Sequence, residues 1–219
     1  MPNWCDNRLH ISGDLETIKT FIEKARHTKE KAEKSGQAFD ILGNLYPTPQ
    51  ELVDTVSGFL GRDTDKQAEL EKKQAENKAK YGHKDWYDWN CANWGTKWGD
   101  SDTFIIDEEP FVTPDGKAHI EFGFQSAWSP PLEGIAHIAT LFPTLEFGLA
   151  YYEEGMDFYG FCNFVDGIPY DDCREISEIE GMEELCALMD EDDCETDVWE
   201  KRNDLICEAR DRLLEEAGF

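Results

Sequence analysis

Leu9 and Ile11 alternate with Arg8, His10 and Ser12, the period-two pattern of a short strand that ends at Gly13. Asp14 can then cap a helix, because Leu15, Ile18, Ile22 and Ala25 recur at helical spacing on one face. Lys29 to Gln37 is polar and reads as a loop or frayed helix end. After the short apolar stretch from Phe39 to Tyr46, Thr48-Pro49-Gln50-Glu51 has the form of a capping box and predicts a helix over roughly 49–60. Residues 65–84 hold good helix formers with almost no apolar face. The expectation there is a solvated helix or mobile excursion with few core contacts.

The second half alternates more regularly. Thr103 to Asp107 offers a strand, and Pro114-Asp115-Gly116 is turn chemistry. Ala118, Ile120, Phe122 and Phe124 fall on one face of the next strand, with His119, Glu121 and Gln125 on the other. Ser129-Pro130-Pro131 predicts a helix start with Ser129 as cap, and Leu132, Ile135, Ile138, Ala139 and Phe142 form its buried stripe before Pro143. Leu145, Phe147, Leu149 and Tyr151 make another strand. A turn at Glu153-Glu154-Gly155 leads to a last one lined by Met156, Phe158, Gly160, Cys162 and Phe164. Both faces of this hairpin are fairly apolar, so it belongs in the centre of the sheet or under a helix.

The resulting order, β-α-(insertion)-β-β-α-β with an extra strand, predicts an α+β fold: a ferredoxin-like (split βαβ) antiparallel sheet with two amphipathic helices on one face. Residues 1–171 form this domain, with a helical tryptophan-rich insertion at about 38–102. Residues 172–219 form an acidic helical C-terminal extension, with a weak helix over Ile176 to Met189. A stronger helix is marked by Val198, Arg202, Leu205, Ile206, Ala209 and Leu213.

Charge narrows the function more than length does. There are 48 acidic against 21 basic residues, a formal net charge of −27, and from Arg174 onward 17 acidic against 5 basic. Such a surface repels phosphate backbones and anionic membranes, so direct nucleic-acid or membrane binding is not expected. Basic partners are favoured instead, including proteins that themselves hold nucleic acid; solubility alone is the plainer use of the same charge. With 40% hydrophobic and 12% aromatic residues the chain can build a real core. MPNWCDNRLH has no apolar run and no window approaches the length of a membrane span, so a cytoplasmic location is expected. Seven cysteines, an odd number with no CxxC pair, suggest neither a disulfide framework nor a structural zinc site.

Five stretches, MPNWCDNRLHISG, LYPTPQEL, YDWNCANWGTKW, SAWSPP and LEFGLAYYEEGMDFYG, resemble the YubB/Api92-like family. They span most of residues 1–167, and none lies beyond Asp171. The resemblance implies a ferredoxin-like domain and a protein of conjugative plasmids and bacteriophages, and it brings no catalytic residues with it.

The candidate chemistry centres on residues 85–98, DWYDWNCANWGTKW. Trp86, Trp89, Trp94 and Trp98, with Asn93, Thr96 and Lys97 between them, can stack a base or sugar and fix its polar edge; equally, the rings can pin the polar insertion to the sheet. Trp4, Asn7, Trp128 and Tyr151 sit near strand ends that the topology can bring to this run, either as a pocket or as ordinary packing. Glu153, Glu154 and Asp157 read as a solvated turn rather than an acid–base pair, since adjacent strand residues point to opposite faces. Asp190, Glu191, Asp192, Asp193, Glu195 and Asp197 lack the pattern of a calcium loop and are candidates for contact with a basic partner. His10, His27, His83, His119 and His137 show no metal or catalytic spacing.

The reading that follows is a non-enzymatic, phage- or plasmid-encoded interaction protein without a cofactor or metal. It would bind a host protein with a basic surface, plausibly a nucleic-acid-binding defence factor, and inhibit it. The alternative is a protein that binds or sequesters a small, nucleotide-like ligand in a tryptophan-rich pocket. A hydrolase or nuclease has only scattered carboxylates and histidines in its favour.

Overall fold

Ten residues, Trp4–Gly13, form the central strand β1. In this computed structural model, which describes residues 3–61, 63–107, 109–189 and 196–218, β1 is paired on both sides. Ala118–Ala127 (β4) runs antiparallel to it on one side and Glu146–Glu153 (β5) on the other. Ser101–Ile105 (β2) and the two-residue strand Phe111–Val112 (β3) pair with β4, while Phe158–Val165 (β6) and Ile168–Glu175 (β7) extend the sheet beyond β5. The order is β2-β4-β1-β5-β6-β7, every pairing antiparallel.

This order makes β1 parallel to β2 with β4 between them, and β4 parallel to β5 with β1 between them. The crossovers begin with α1 (Leu15–Ala25) and consist of α7 (Leu132–Leu141) respectively, which is the ferredoxin-like arrangement. Asp14 caps α1 as its position predicts, its carboxylate accepting the Thr17 N–H at 3.0 Å. Strand alternation fixes the core face. Leu9 lies opposite Phe122 and Leu149, Ile11 opposite Ile120 and Phe147, and Leu149 and Phe147 opposite Cys162 and Phe164. Onto these pack Ile18, Phe21, Ile135 and Ile138, all fully buried.

The other face of the hairpin carries Ala150, Tyr159 and Phe161. It is covered by Ile206, Ala209 and Leu213 of α9 (Thr196–Glu216), with Met182 of α8 (Met182–Met189) and Ile176 beside them. The apolar stripe read at 198–213 therefore docks on the sheet, opposite α1 and α7. β7 continues through positions 171 and 172, so the end of the hairpin region and the start of the acidic C-terminal part share one strand.

Between α1 and β2 lie α2 (Lys29–Ser35), α3 (Ile41–Leu45), α4 (Gln50–Val53), α5 (Thr64–Tyr81) and α6 (Trp86–Asn93). Three local readings are corrected here. The polar run 29–37 is largely helix, because Thr28 caps Lys31 N–H and Gly36, at φ +76°, closes the other end. The helix expected over 49–60 stops at Val53, and Thr48 does not cap it. The Thr48 hydroxyl donates to Asn90 Oδ1 at 2.6 Å and Glu51 pairs with Lys80 at 2.7 Å, so both capping-box side chains are engaged by tertiary partners. Ser129 does not cap α7 either: its hydroxyl donates to the Gly95 carbonyl, and the helix begins after Pro131 without a side-chain cap. The polar helix at 65–84 is present, capped by Asp63 and anchored by buried Leu70 and Asn77.

Candidate interaction site

Asp85 starts α6 by accepting the Asp88 N–H, and this phase sends the tryptophans in different directions. Trp89 and Trp94 are each only 6% exposed and meet edge to face at 5.6 Å. Trp94 donates its indole N–H to the Tyr46 carbonyl at 2.9 Å, and the Tyr46 hydroxyl donates to Asn93 Oδ1 at 2.8 Å. Tyr46 also stacks on His137 of α7 at 3.7 Å, and burial lowers the pKa of that imidazole. Asn93 is thus a structural amide, its Nδ2 donating back to the Trp89 carbonyl.

Gly95 then turns the chain at φ +80°, where a Cβ would run into the Glu133 carboxylate. The turn is locked to the segment entering α7. Thr96, buried, donates to the Ala127 carbonyl at 2.8 Å, Ser129 to the Gly95 carbonyl at 2.6 Å, and Gly134 N–H to the Trp94 carbonyl at 3.3 Å. Asn90 Nδ2 holds the Lys97 carbonyl at 3.0 Å. The stretches 85–98 and 126–131 are two halves of one joint. Asn7 and Tyr151 also point inward: Asn7 donates to the Cys5 carbonyl and Ser126 hydroxyl, and Tyr151 donates to Asp171 at 2.6 Å. Burial, then Asp171, raises the Tyr151 pKa.

This buried joint presents a different set to solvent. Trp98 (37% exposed) lies 6.3 Å from Trp4 (38%), and Trp128, also exposed (45%), donates its backbone N–H to the Asn3 carbonyl next to Trp4 in the chain. Lys97 sits 4.5 Å above the Trp98 ring and 5.7 Å from that of exposed Tyr87. Trp86 is half-buried against Tyr87. Trp128 holds φ +74°, a conformation disfavoured for a bulky residue, and its ring stands exposed. The sequence candidates therefore divide. Trp89, Trp94, Asn93, Thr96, Asn7 and Tyr151 build the frame, and Trp4, Lys97, Trp98 and Trp128 form its outer surface.

The other candidates do not join this surface. Glu153 is buried and accepts the Gly155 N–H, while Glu154 pairs with Arg202 of α9. Asp157 accepts from Ser177. Asp197 pairs with Lys201 at 2.8 Å, which lowers its pKa; Asp190, Glu191, Asp192, Asp193 and Glu195 lie outside the described residues. His10 meets Glu121 at 3.0 Å, His83 approaches Asn93, and His119 stacks on Phe111. Among the described residues no three His, Cys, Asp or Glu side chains gather closely enough to hold a metal ion. One cleft escaped the sequence reading: Glu133, Tyr151, Phe158, Asp171 and Cys173 line about 380 Å³ between α7 and β7. No spacing in the sequence links Glu133 to Asp171.

Residues 93–199 match the sequence model of the ferredoxin-like domain in Api92-like protein. This stretch of the chain is similar to the Api92-like ferredoxin-like domain. The Api92-like match includes the Trp94–Trp98 turn, α7 and all strands from β2 to β7, whereas β1 and α1, which complete the fold, precede it. A crystal structure of a protein api92 from Yersinia pseudotuberculosis is similar over 80% of this chain and 98% of that one, at 12% identity and a TM-score of 0.42. Among curated proteins none matches.

Proposed function

We propose that this Api92-like chain is a non-enzymatic interaction protein of a phage or plasmid, working in the host cytoplasm, that binds and inhibits a host protein with a basic surface. One observation carries the reading: an exposed ring pair, Trp4 and Trp98, held up by a buried frame, on a molecule of net charge −27 that also exposes Trp128. Large amphipathic rings supply binding area at low entropic cost, and the surrounding negative potential steers a basic partner toward them. Among the described residues no helix is long and apolar enough to cross a membrane, in keeping with a partner met in solution. The nucleotide-like alternative has less support, because Trp89 and Trp94 fill the space between α6 and α7 and leave Trp98 and Lys97 as an open surface.

The test is affinity capture from host lysate at low salt, followed by reconstitution with the purified partner. The expected outcome is one basic protein, released by high salt and bound at least tenfold more weakly by Trp98→Ala. Stabilisation of the chain by nucleotides, abolished in Trp98→Ala, with no partner retained, would instead favour the ligand reading.

A further inference from the structure

β7 is a free edge. It pairs with β6 on one side, has no strand on the other among the described residues, and exposes all eight of its side chains. The outer N–H and C=O groups of such an edge are a template for one more strand. Its alternation separates two environments. Asp171 and Cys173, opposite Cys162 and Gly160, face the cleft of about 380 Å³ that also contains Glu133. Tyr170 and Asp172, opposite Asn163 and Phe161, face a cleft of about 240 Å³ completed by Leu213 and Glu216 of α9.

The two sides differ in charge. On the first, Glu133 and Asp171 share a cleft with no basic side chain in its lining, and Tyr151 holds Asp171 in place. On the second, Arg174 grips Asp172 with two bonds of 2.7 and 3.0 Å, leaving the Phe161, Tyr170 and Leu213 side chains as its apolar part. A second copy of this chain is a poor occupant. An antiparallel β7–β7 pair overlapping at Asp171-Asp172 would oppose like charges.

Resting on the interaction reading above, we propose that β7 docks an extended segment of the basic partner as an eighth strand. Lys or Arg side chains of that segment occupy the Glu133–Asp171 side, and apolar ones the Phe161–Tyr170–Leu213 side. The exposed tryptophans and β7 then bind different parts of one partner.

The experiment uses the full chain and a labelled synthetic peptide of alternating Lys and Val, read by fluorescence anisotropy and by amide hydrogen exchange. The alternating peptide is expected to bind and to slow exchange within 168–175. A block-ordered peptide of the same composition should bind at least tenfold more weakly. N-methylation of one alternate set of peptide amides should abolish binding, and of the other set should not. The Glu133→Gln/Asp171→Asn double variant, folded by circular dichroism, should weaken binding at least tenfold. Equal binding of both peptides, protection away from β7, or no binding at low salt overturns the proposal. Undiminished binding of the purified partner by the double variant overturns it while leaving the interaction reading intact; failure to retain any basic protein overturns both.

Discussion

Trp94 and Trp98 stand four residues apart and serve opposite ends. The Trp94 ring is buried against Trp89 with its N–H bonded, so Trp94→Ala removes a large core side chain and orphans the Tyr46 carbonyl. A loss of about 3–5 kcal/mol in urea unfolding is expected. Trp98→Ala removes a partly exposed ring packed on Trp4 and Lys97 and should cost clearly less, about 1–2 kcal/mol, while weakening partner binding. Equal stability effects would mean that the buried frame and outer surface are not distinct. Gly95 offers a second test at this scale. Gly95→Ala meets both a positive φ and the Glu133 carboxylate, whereas Gly36→Ala, at a similar φ, points into open space. Both should lose about 1–2 kcal/mol from backbone conformation, and Gly95→Ala more, the excess measuring the Glu133 contact. The sequence made the tryptophan run conspicuous but could not say which rings face inward. That depends on where Asp85 starts an eight-residue helix and where Gly95 ends its extension, since each residue of phase turns the helical rings by about 100°.

Elements were legible in proportion to how much apolar surface they bury. The alternation of β1, β4, β5 and β6 and the stripe of α7 follow directly from the core they line, and they were enough to order the ferredoxin-like sheet. β7 was not legible, because IPYDDCRE lies on an edge, exposes every side chain and has no alternation to find. The capping box at Thr48 failed for a different reason: Thr48 donates to Asn90 and Glu51 accepts from Lys80, tertiary hydrogen bonds that replace the local cap. α5 is held by similar means. Buried Asn77 donates to the Thr55 hydroxyl at 2.9 Å and the Lys84 carbonyl at 3.0 Å, pinning an otherwise solvated helix at both flanking loops. Asn77→Ala is expected to cost about 1–3 kcal/mol by leaving those groups unsatisfied. Native-state hydrogen exchange and proteolysis should accelerate within 64–84 first, ahead of the sheet. If exchange in β1 and β4 rose in parallel, α5 would be part of the cooperative core rather than an attached excursion.

For the molecule as a whole, a net charge of −27 is a self-repulsion that folding concentrates into a smaller volume. Three carboxyls sharpen it. Burial raises the pKa of Asp6, of Asp100 and of Asp171 above the ordinary 3.8, with Asp40 adding to the effect at Asp100. In each, the folded form holds its proton more tightly than the unfolded chain. Between 3.8 and the folded value, stability therefore falls as pH rises and is regained on acidification. Asp14 and Asp63 behave oppositely, because the backbone N–H groups of Thr17 and Lys66 lower their pKa; what they contribute is lost as pH falls below 3.8. Melting temperature should thus climb as pH is lowered from neutral toward 3.8, and drop below it. Added salt at neutral pH should raise it as well and flatten the first limb, since screening relieves the same repulsion that protonation does. A melting temperature that fell steadily on acidification at low salt would count against this account, and would place the acidic residues in stabilising ion pairs instead. The same screening weakens long-range steering, so salt should stabilise the chain and slow its association with a basic partner together. That opposition is what the proposed interaction predicts for a charge that serves encounter rather than the fold.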